Sequence, residues 1–339
     1  MVIPKLVTIA IPIYKRLSYL PGVLRAVQAQ DYPHIELIVS DNGQNGSKTT
    51  KLIEENYSRP FRLRQTAVTV NIPAHYHQIL SESTGEYFIW LADDDLISAN
   101  FVSELARTLE AYPEAAVAIA HEEIIDTSGR VVRRSLRDIP QLLSGEEFIR
   151  SWNTYKYENY STLLAKREDI INCGGFAHIP WGTASDDLLL MKLCFRGSVA
   201  FNQRCTFQWR WDEASFGWGL SIQQLAEDYR HLLRILETDP VFRVYKKQNP
   251  GTWNELKQHI VWMSWRAYFH RWSTLYKQRL PFLPWLRAAF AVRFPLAYYG
   301  VVLSSLRWTI REMVLSRLKA RWPGARKVYQ NVKNYKHLR

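Results

Sequence analysis

Between residues 6 and 120, five short runs rich in apolar, β-branched and aromatic residues alternate with four amphipathic stretches. The runs are Leu6–Ile11, Ile35–Ser40, Arg62–Thr66, Tyr87–Leu91 and Ala115–His121. The stretches between them are Tyr19–Gln30, Ser47–Tyr57, Ala74–Ser83 and Ala99–Ala111. Such short runs suit strands, and the longer intervening segments carry the helical period. Helices between consecutive strands act as crossovers, so the strands lie parallel. The pattern predicts an α/β fold with a mainly parallel sheet and helices on both faces.

In a sheet of this kind, ligands bind beyond the carboxyl ends of the strands. Two acidic sites fall there. Asp41 closes the second run, in Ile38-Val39-Ser40-Asp41-Asn42-Gly43, and Asp93-Asp94-Asp95 follows the run Tyr87–Leu91. Three adjacent carboxylates repel one another and ask for a compensating charge. A hard cation supplies it, because Mg2+ and Mn2+ prefer carboxylate and phosphate oxygens. The competing reading is a solvated turn leading into the helix Ala99–Ala111.

Beyond residue 120 the alternation loosens. His121-Glu122-Glu123 reads as a strand end, and Asp126-Thr127-Ser128-Gly129 as a hairpin turn. Ser144–Asn153 reads as a helix capped by Ser144, with Glu147 three residues on. Thr162–Lys166 is strand-like, Gly174-Gly175-Phe176 is a turn, and Asp186–Arg196 is a helix with acids in its first turn. His75 and His77 lie two apart on a helical stretch, so they do not share a face and make a poor metal pair.

Charge divides the chain. Residues 241–339 hold 20 Lys and Arg against only Glu255 and Glu312, whereas residues 1–240 hold 24 against 30 acids. The basic part also carries seven of the 13 Trp. It reads as helices broken by Pro240, Pro250, Pro281, Pro284 and Pro295. A basic, aromatic segment suits nucleic acid or an anionic membrane surface. Trp and Arg both suit the headgroup layer, where one end of a side chain is wet. Each basic residue there contributes on the order of 1 kcal/mol. The span Pro281–Ile310 is the interfacial candidate; the rival reading packs these aromatics on the catalytic part. The longest apolar stretch, Phe294–Leu306, reaches roughly 20 Å as a helix, short of a hydrocarbon core of about 30 Å. Cys173, Cys194 and Cys205 form no CxxC pair and read as reduced thiols. The apolar start of the chain is too short for an export signal and reads as a first buried strand.

Four segments, taken in order, resemble the family 2 glycosyltransferases. Val7-Thr8-Ile9-Ala10-Ile11-Pro12-Ile13-Tyr14 looks like the family's opening "vSvviPtYN", and Ser40-Asp41-Asn42-Gly43 looks like "vDDgS". The segment from Gly85 to Asp95 looks like "GeYiafLDaDD". Ser185-Asp186-Asp187-Leu188, following Gly174-Gly175-Phe176, looks like the "ED" motif. Gln208-Trp209-Arg210-Trp211-Asp212 is similar to the "yRwH" segment of non-processive relatives, with Asp212 where many have His. It also partly resembles the Q-x-x-R-W of processive synthases, one residue short. The likeness covers about residues 5–215.

The resemblance implies a GT-A fold, the Rossmann-like fold of nucleotide-diphospho-sugar transferases. It implies a catalytic domain over 1–219, with a donor half to about 120 and an acceptor half over 121–219. A helical basic region follows over 220–339. It places Pro12 and Tyr14 along the nucleotide, Asp41 at the base and Asp93 near the ribose. Asp94 becomes the main ligand of Mn2+ or Mg2+, with Asp95 the second candidate. Ala92 stands where many relatives have Asp, so the pair of acids that touches the metal stays open. Asp187 matches the general base, beside Asp186, and Arg210 steadies the diphosphate. Trp181, Trp211 and Tyr160 are candidates for stacking on acceptor sugars.

The implied activity is inverting transfer of one sugar from a nucleotide sugar to a glycan. That glycan is expected to be polyprenyl-diphosphate-linked, as in bacterial O-antigen or capsule assembly, at the inner face of the plasma membrane. The rival enzyme class, a sugar nucleotidyltransferase, would favour a Gly-rich phosphate loop where Ile11–Arg16 stands. A nucleic-acid-binding protein using the basic tail is the rival outside enzymes. No nucleic-acid partner is expected on the favoured reading.

Overall fold

The structure is a computed structural model that describes residues 4–134, 139–152, 163–212 and 219–275. The elements follow in chain order: β1 (Val7–Ile13), α1 (Leu20–Gln28), β2 (Ile35–Asp41), α2 (Ser47–Asn56), β3 (Phe61–Gln65), α3 (Ile72–Glu82), β4 (Tyr87–Trp90), β5 (Leu96–Ile97), α4 (Phe101–Ala111) and β6 (Ala115–Ile125). Next come β7 (Val131–Arg134), β8 (Leu142–Leu143), α5 (Gly145–Arg150), β9 (Leu163–Lys166), α6 (Arg167–Asn172), α7 (Ser185–Cys194), β10 (Ser198–Arg210), α8 (Ile222–Thr238), α9 (Pro240–Gln248) and α10 (Pro250–Leu275).

Local sequence explains the crossovers. In α1, Leu20, Val23, Leu24 and Val27 are buried at the i, i+3, i+4, i+7 spacing of one helical stripe. That stripe joins Val7, Ile9, Ile11 and Ile13 of β1 in one core. Helix α3 opens on Asn71, whose side chain accepts the Ala74 N–H at 2.9 Å, with Pro73 in the first turn. Its Tyr76 stacks on Trp90 of β4 at 4.7 Å between ring centres, and Phe176 meets both rings edge-on. Trp90 and Phe88 alternate with the core residues Tyr87, Ile89 and Leu91, so α1 and α3 cover opposite faces of the sheet.

The sheet runs β3-β2-β1-β4-β9-β6-β10-β5, with β7 on β6 and β8 on β10. Strands β1 to β4 are mutually parallel, in a register that sets Ile13 beside Asp41 and Asp41 beside Gln65. Strand β9 is antiparallel to both β4 and β6, and β6 is parallel to β10. Six of the eight strands on this path therefore point one way. The ends of β1, β2, β4, β6 and β10 share one edge, as the expected fold class requires.

Two differences from the sequence expectation stand out. Strand β6 continues to Ile125, which places His121-Glu122-Glu123 inside the strand; its buried Glu123 accepts from Gln208 at 2.8 Å and pairs with Arg134 at 2.9 Å. Strand β10 was not expected as a strand at all. Its polar Asn202-Gln203-Arg204 falls where the register against β6 shifts, so the apolar pattern breaks at the bulge. The first compact unit runs to Lys257. The physical reason is a set of cross-ties. Lys192, 2% exposed on α7, donates to the Cys173 carbonyl and pairs with Asp239 at 3.2 Å. Phe195 packs against Phe242, Tyr245 and Trp253. The second compact unit is Gln258–Arg339. Tyr160 and the span Pro281–Ile310 lie outside the described residues. Among the described residues, no helix is long and apolar enough to cross a membrane.

Candidate active site

The edge is built first by the loops after β1 and β2. Asn42 donates its backbone N–H to Ile13 and its side-chain N–H to Val70, and accepts from Val70 N at 2.9 Å and Thr66 Oγ1 at 3.1 Å. Asn45 donates to the Tyr14 carbonyl, and Gly43 presses against the same carbonyl so closely that a Cβ would overlap it. Tyr14 itself is 45% exposed, and Pro12, two residues earlier, is half-buried. A Gly43→Ala protein must push these loops apart. The expected cost is about 1–3 kcal/mol, read as a lower urea midpoint without a change in slope.

Asp41 differs from its expected role. It is fully buried, and its carboxylate accepts from Gly43 N (2.8 Å), Asn45 N (3.0 Å), Asn45 Nδ2 (2.9 Å) and Thr49 Oγ1 (2.9 Å). Every lone-pair direction is committed to the protein, so Asp41 shapes the loop and offers no face to a base. Behind it, buried His75 shares a 2.7 Å hydrogen bond with Ser40 Oγ, while His77 bonds the Phe176 carbonyl at 2.9 Å. Burial and Arg64 push the His75 imidazole down to about 4, so it is neutral at pH 7. The two histidines serve different partners.

The acidic triplet follows β4 at the same edge. Asp93 and Asp94 keep side-chain exposures of 18% and 13%, while Asp95 is 1% exposed. Asp95 turns inward and accepts the Arg210 backbone N–H at 2.9 Å, which ties the triplet to the end of β10. Arg210 completes the tie. Its Nε donates to the Asp94 carbonyl at 2.7 Å and its Nη1 to the Asp126 carbonyl at 2.8 Å. Arg210 is thus a buried brace, with its guanidinium 4.4 Å from the Tyr19 ring centre. Trp211, next in the chain, is 39% exposed.

Arg16 is the residue that sequence reasoning missed. It pairs with Asp94, reaches Asp93 at 3.9 Å, and holds Asp212 at 2.8 Å. Tyr19 also donates to Asp212 at 3.2 Å. One guanidinium therefore joins acids from the β4–β5 turn and from the chain after β10. The available signal was charge balance, since a part-buried acidic triplet requires a cation nearby. Burial and Asp94 push the Asp93 carboxyl up to about 7. Burial also raises Asp94 against the pull of Arg16, and holds Asp95 well above the usual range.

Two neighbouring carboxylates, only partly exposed and held against their own repulsion, form a donor set that suits a hard dication. Among the described residues no group of three or more ligating side chains is assembled. The remaining positions would then fall to phosphate oxygens and water, as is usual for Mg2+. The residues present fit that ion.

The second acidic site opens α7. Asp186 and Asp187 occupy its first turn, both half-buried, and Asp186 Oδ1 accepts the Asp187 N–H at 2.9 Å. The helix N-terminus favours negative charge there. Tyr76 links the two sites. Burial raises its phenol most, followed by Asp186, Asp93 and Asp94 in that order. A single buried ring therefore feels the charge of both acidic sites. Trp181, 37% exposed, stands just before α7 with its indole N–H donated to Glu227 at 3.0 Å.

The sequence model described as glycosyl transferase family 2 matches residues 8–179. An uncharacterized glycosyltransferase of Rickettsia conorii is 26% identical over 129 residues, which is 38% of this chain and 21% of that protein. One from Rickettsia bellii is 28% identical over 126 residues, 37% of this chain and 18% of that one. The matched stretch thus spans about a fifth of the length of these relatives. In three dimensions the chain is similar to Staphylococcus aureus TarS 1–349 in complex with UDP-GlcNAc. The TM-score is 0.60 at 14% identity, covering 89% of this chain and 79% of that one. The complex of the same protein with UDP gives 0.58 at 14% identity, covering 95% and 87%.

Proposed function

This chain belongs to the family 2 glycosyltransferases, and on that premise we propose that it catalyses inverting transfer of one sugar from a nucleoside-diphosphate sugar to a glycan hydroxyl. The observation that carries the reading is a pair of acidic sites of different character, one following β4 and tied to β10 and the other in the first turn of α7, with the Tyr76 ring feeling both. Asp93 and Asp94 are part-buried and crowded, which suits a cation and a diphosphate. Asp186 and Asp187 sit in the first turn of a helix, where negative charge is favoured, and a carboxylate placed there can take a proton. Asp187 accepts the proton of the attacking hydroxyl, and Asp186 fixes the turn that presents it.

Mn2+ or Mg2+ would be held by Asp94 and Asp93, and would neutralise charge on the departing diphosphate. Asp95 and Arg210 hold the triplet in place. Pro12, Tyr14 and the loop tied by Asp41 border the nucleotide. Exposed Trp181 and Trp211 offer rings to acceptor sugars. UDP is the first nucleotide to examine, because the TarS complexes hold UDP and UDP-GlcNAc.

The acceptor is proposed to be lipid-linked, in surface polysaccharide assembly at the inner face of the plasma membrane. Support comes from composition: the basic, Trp-rich residues 241–339 suit an anionic headgroup layer. The test is a panel of UDP-GlcNAc, UDP-glucose, UDP-galactose and UDP-GalNAc, each with and without Mn2+. The readouts are thermal shift and UDP release with a polyprenyl-diphosphate glycan extract. A Mn2+-dependent shift with at least one donor is expected. Stabilisation by none, with or without metal, would sink the donor assignment.

A further inference from the structure

Helix α8 follows the family-matched segment, yet it reaches back to the chain that leads into α7. Asp228 on this helix is 2% exposed. Its Oδ1 accepts the Trp181 backbone N–H at 2.9 Å, its Oδ2 accepts the Thr183 backbone N–H at 3.0 Å, and the Thr183 hydroxyl also donates to it. The adjacent Glu227 takes the Trp181 indole N–H. Two neighbouring carboxylates on one helix thus hold a single irregular segment.

That segment leads directly into Asp186 and Asp187. Gly182 has φ +80° and Ala184 has φ +63°. A left-handed Ala is strained and persists only where its surroundings over-determine it. Ala184 is also the N-cap of α7, and its carbonyl accepts the first helical hydrogen bond, from Leu188 at 3.0 Å. The orientation of the first turn of α7, and of both acids in it, depends on this residue. The turn leaves the N–H groups of Trp181 and Thr183 pointing inward, where each needs an acceptor. A carboxylate accepts on both oxygens and donates nothing, so one Asp satisfies both.

We propose that Asp228 is a positioning residue: by clamping Trp181–Ala184 it aims the Asp186–Asp187 pair at the acceptor hydroxyl. The inference rests on Asp187 being the general base. It makes α8 part of the catalytic machinery, although α8 lies outside the segment that the family model covers.

The experiment uses the full chain and the UDP-sugar of the panel above that the wild type turns over. Three variants are compared: Asp228→Asn, Thr183→Val and Asp187→Asn. In Asp228→Asn an amide N–H2 faces donors on one side. In Thr183→Val the backbone bonds stay and only the hydroxyl is lost. Asp228→Asn is expected to lower kcat about 10- to 100-fold with the donor KM within about twofold, since a misplacement near 1 Å costs that much. Thr183→Val is expected to show the same split at a smaller size, with an unchanged melting temperature. Wild-type kcat in Asp228→Asn overturns the proposal. So does a fall in kcat matched by an equal rise in donor KM, with Thr183→Val at wild-type values, because that pattern marks general destabilisation. If Asp187→Asn also retains full turnover, the base assignment has failed instead.

Discussion

Asp187→Asn is expected to lose transfer by about 10²- to 10⁴-fold while keeping UDP binding and the fold. The magnitude is that of a general base whose proton-accepting form is removed. The substitution is isosteric, and Asp187 N–H is held by Asp186, so the first turn of α7 retains its bond. The loss should fall on kcat, since on the proposed reading the donor is held by the triplet and the β1–β2 loops and not by Asp187. Turnover measured as UDP release, with donor KM fitted separately, checks this. A variant with wild-type kcat removes Asp187 from the mechanism. A variant with wild-type kcat but a raised donor KM would instead place Asp187 against the donor.

The elements of the first 120 residues were legible because each strand there is a compact apolar run and each crossover carries a helical stripe. Leu20, Val23, Leu24 and Val27 state both the helix and its buried face. Strand β10 was hidden because its middle is polar at a bulge, where the ladder to β6 slips. The acids themselves were visible by position at strand ends, but their division of labour was not. Asp41, Asp95 and Arg210 look like ligand contacts in sequence; in space they are buried and hydrogen-bonded to groups of the protein itself. Local pattern shows that a polar residue sits at an edge. Which way it turns depends on partners far along the chain: Thr49 for Asp41, and the end of β10 for Asp95. Arg16 and Asp228 were missed for the same reason. Arg16 meets Asp212 across 196 residues, and Asp228 meets Trp181 across 47.

Asp94→Asn is expected to abolish the Mn2+ dependence of UDP binding. In the wild type, UDP with Mn2+ should raise the melting temperature more than UDP alone. A ligand at 100 times its dissociation constant contributes about 2.7 kcal/mol of stability. The Asn variant should lose that increment, because a neutral amide offers a weaker ligand than a carboxylate to a hard dication. Loss of a direct ligand should weaken metal binding by more than the roughly 10- to 100-fold typical of removing a residue behind one.

Arg16 provides the contrasting variant. It pairs with Asp94 and Asp212, so in the protein alone it stands where a dication would bring its charge. Arg16→Gln removes that competing cation and leaves both carboxylates. It should therefore bind Mn2+ more tightly than the wild type in the absence of nucleotide, measured directly by calorimetry. The two substitutions thus move metal affinity in opposite directions. Fold damage lowers both, and only competition for the same carboxylate raises one. If Arg16→Gln binds Mn2+ no better than the wild type, or Asp94→Asn keeps the full metal-dependent shift, Asp94 is not where the metal meets the protein.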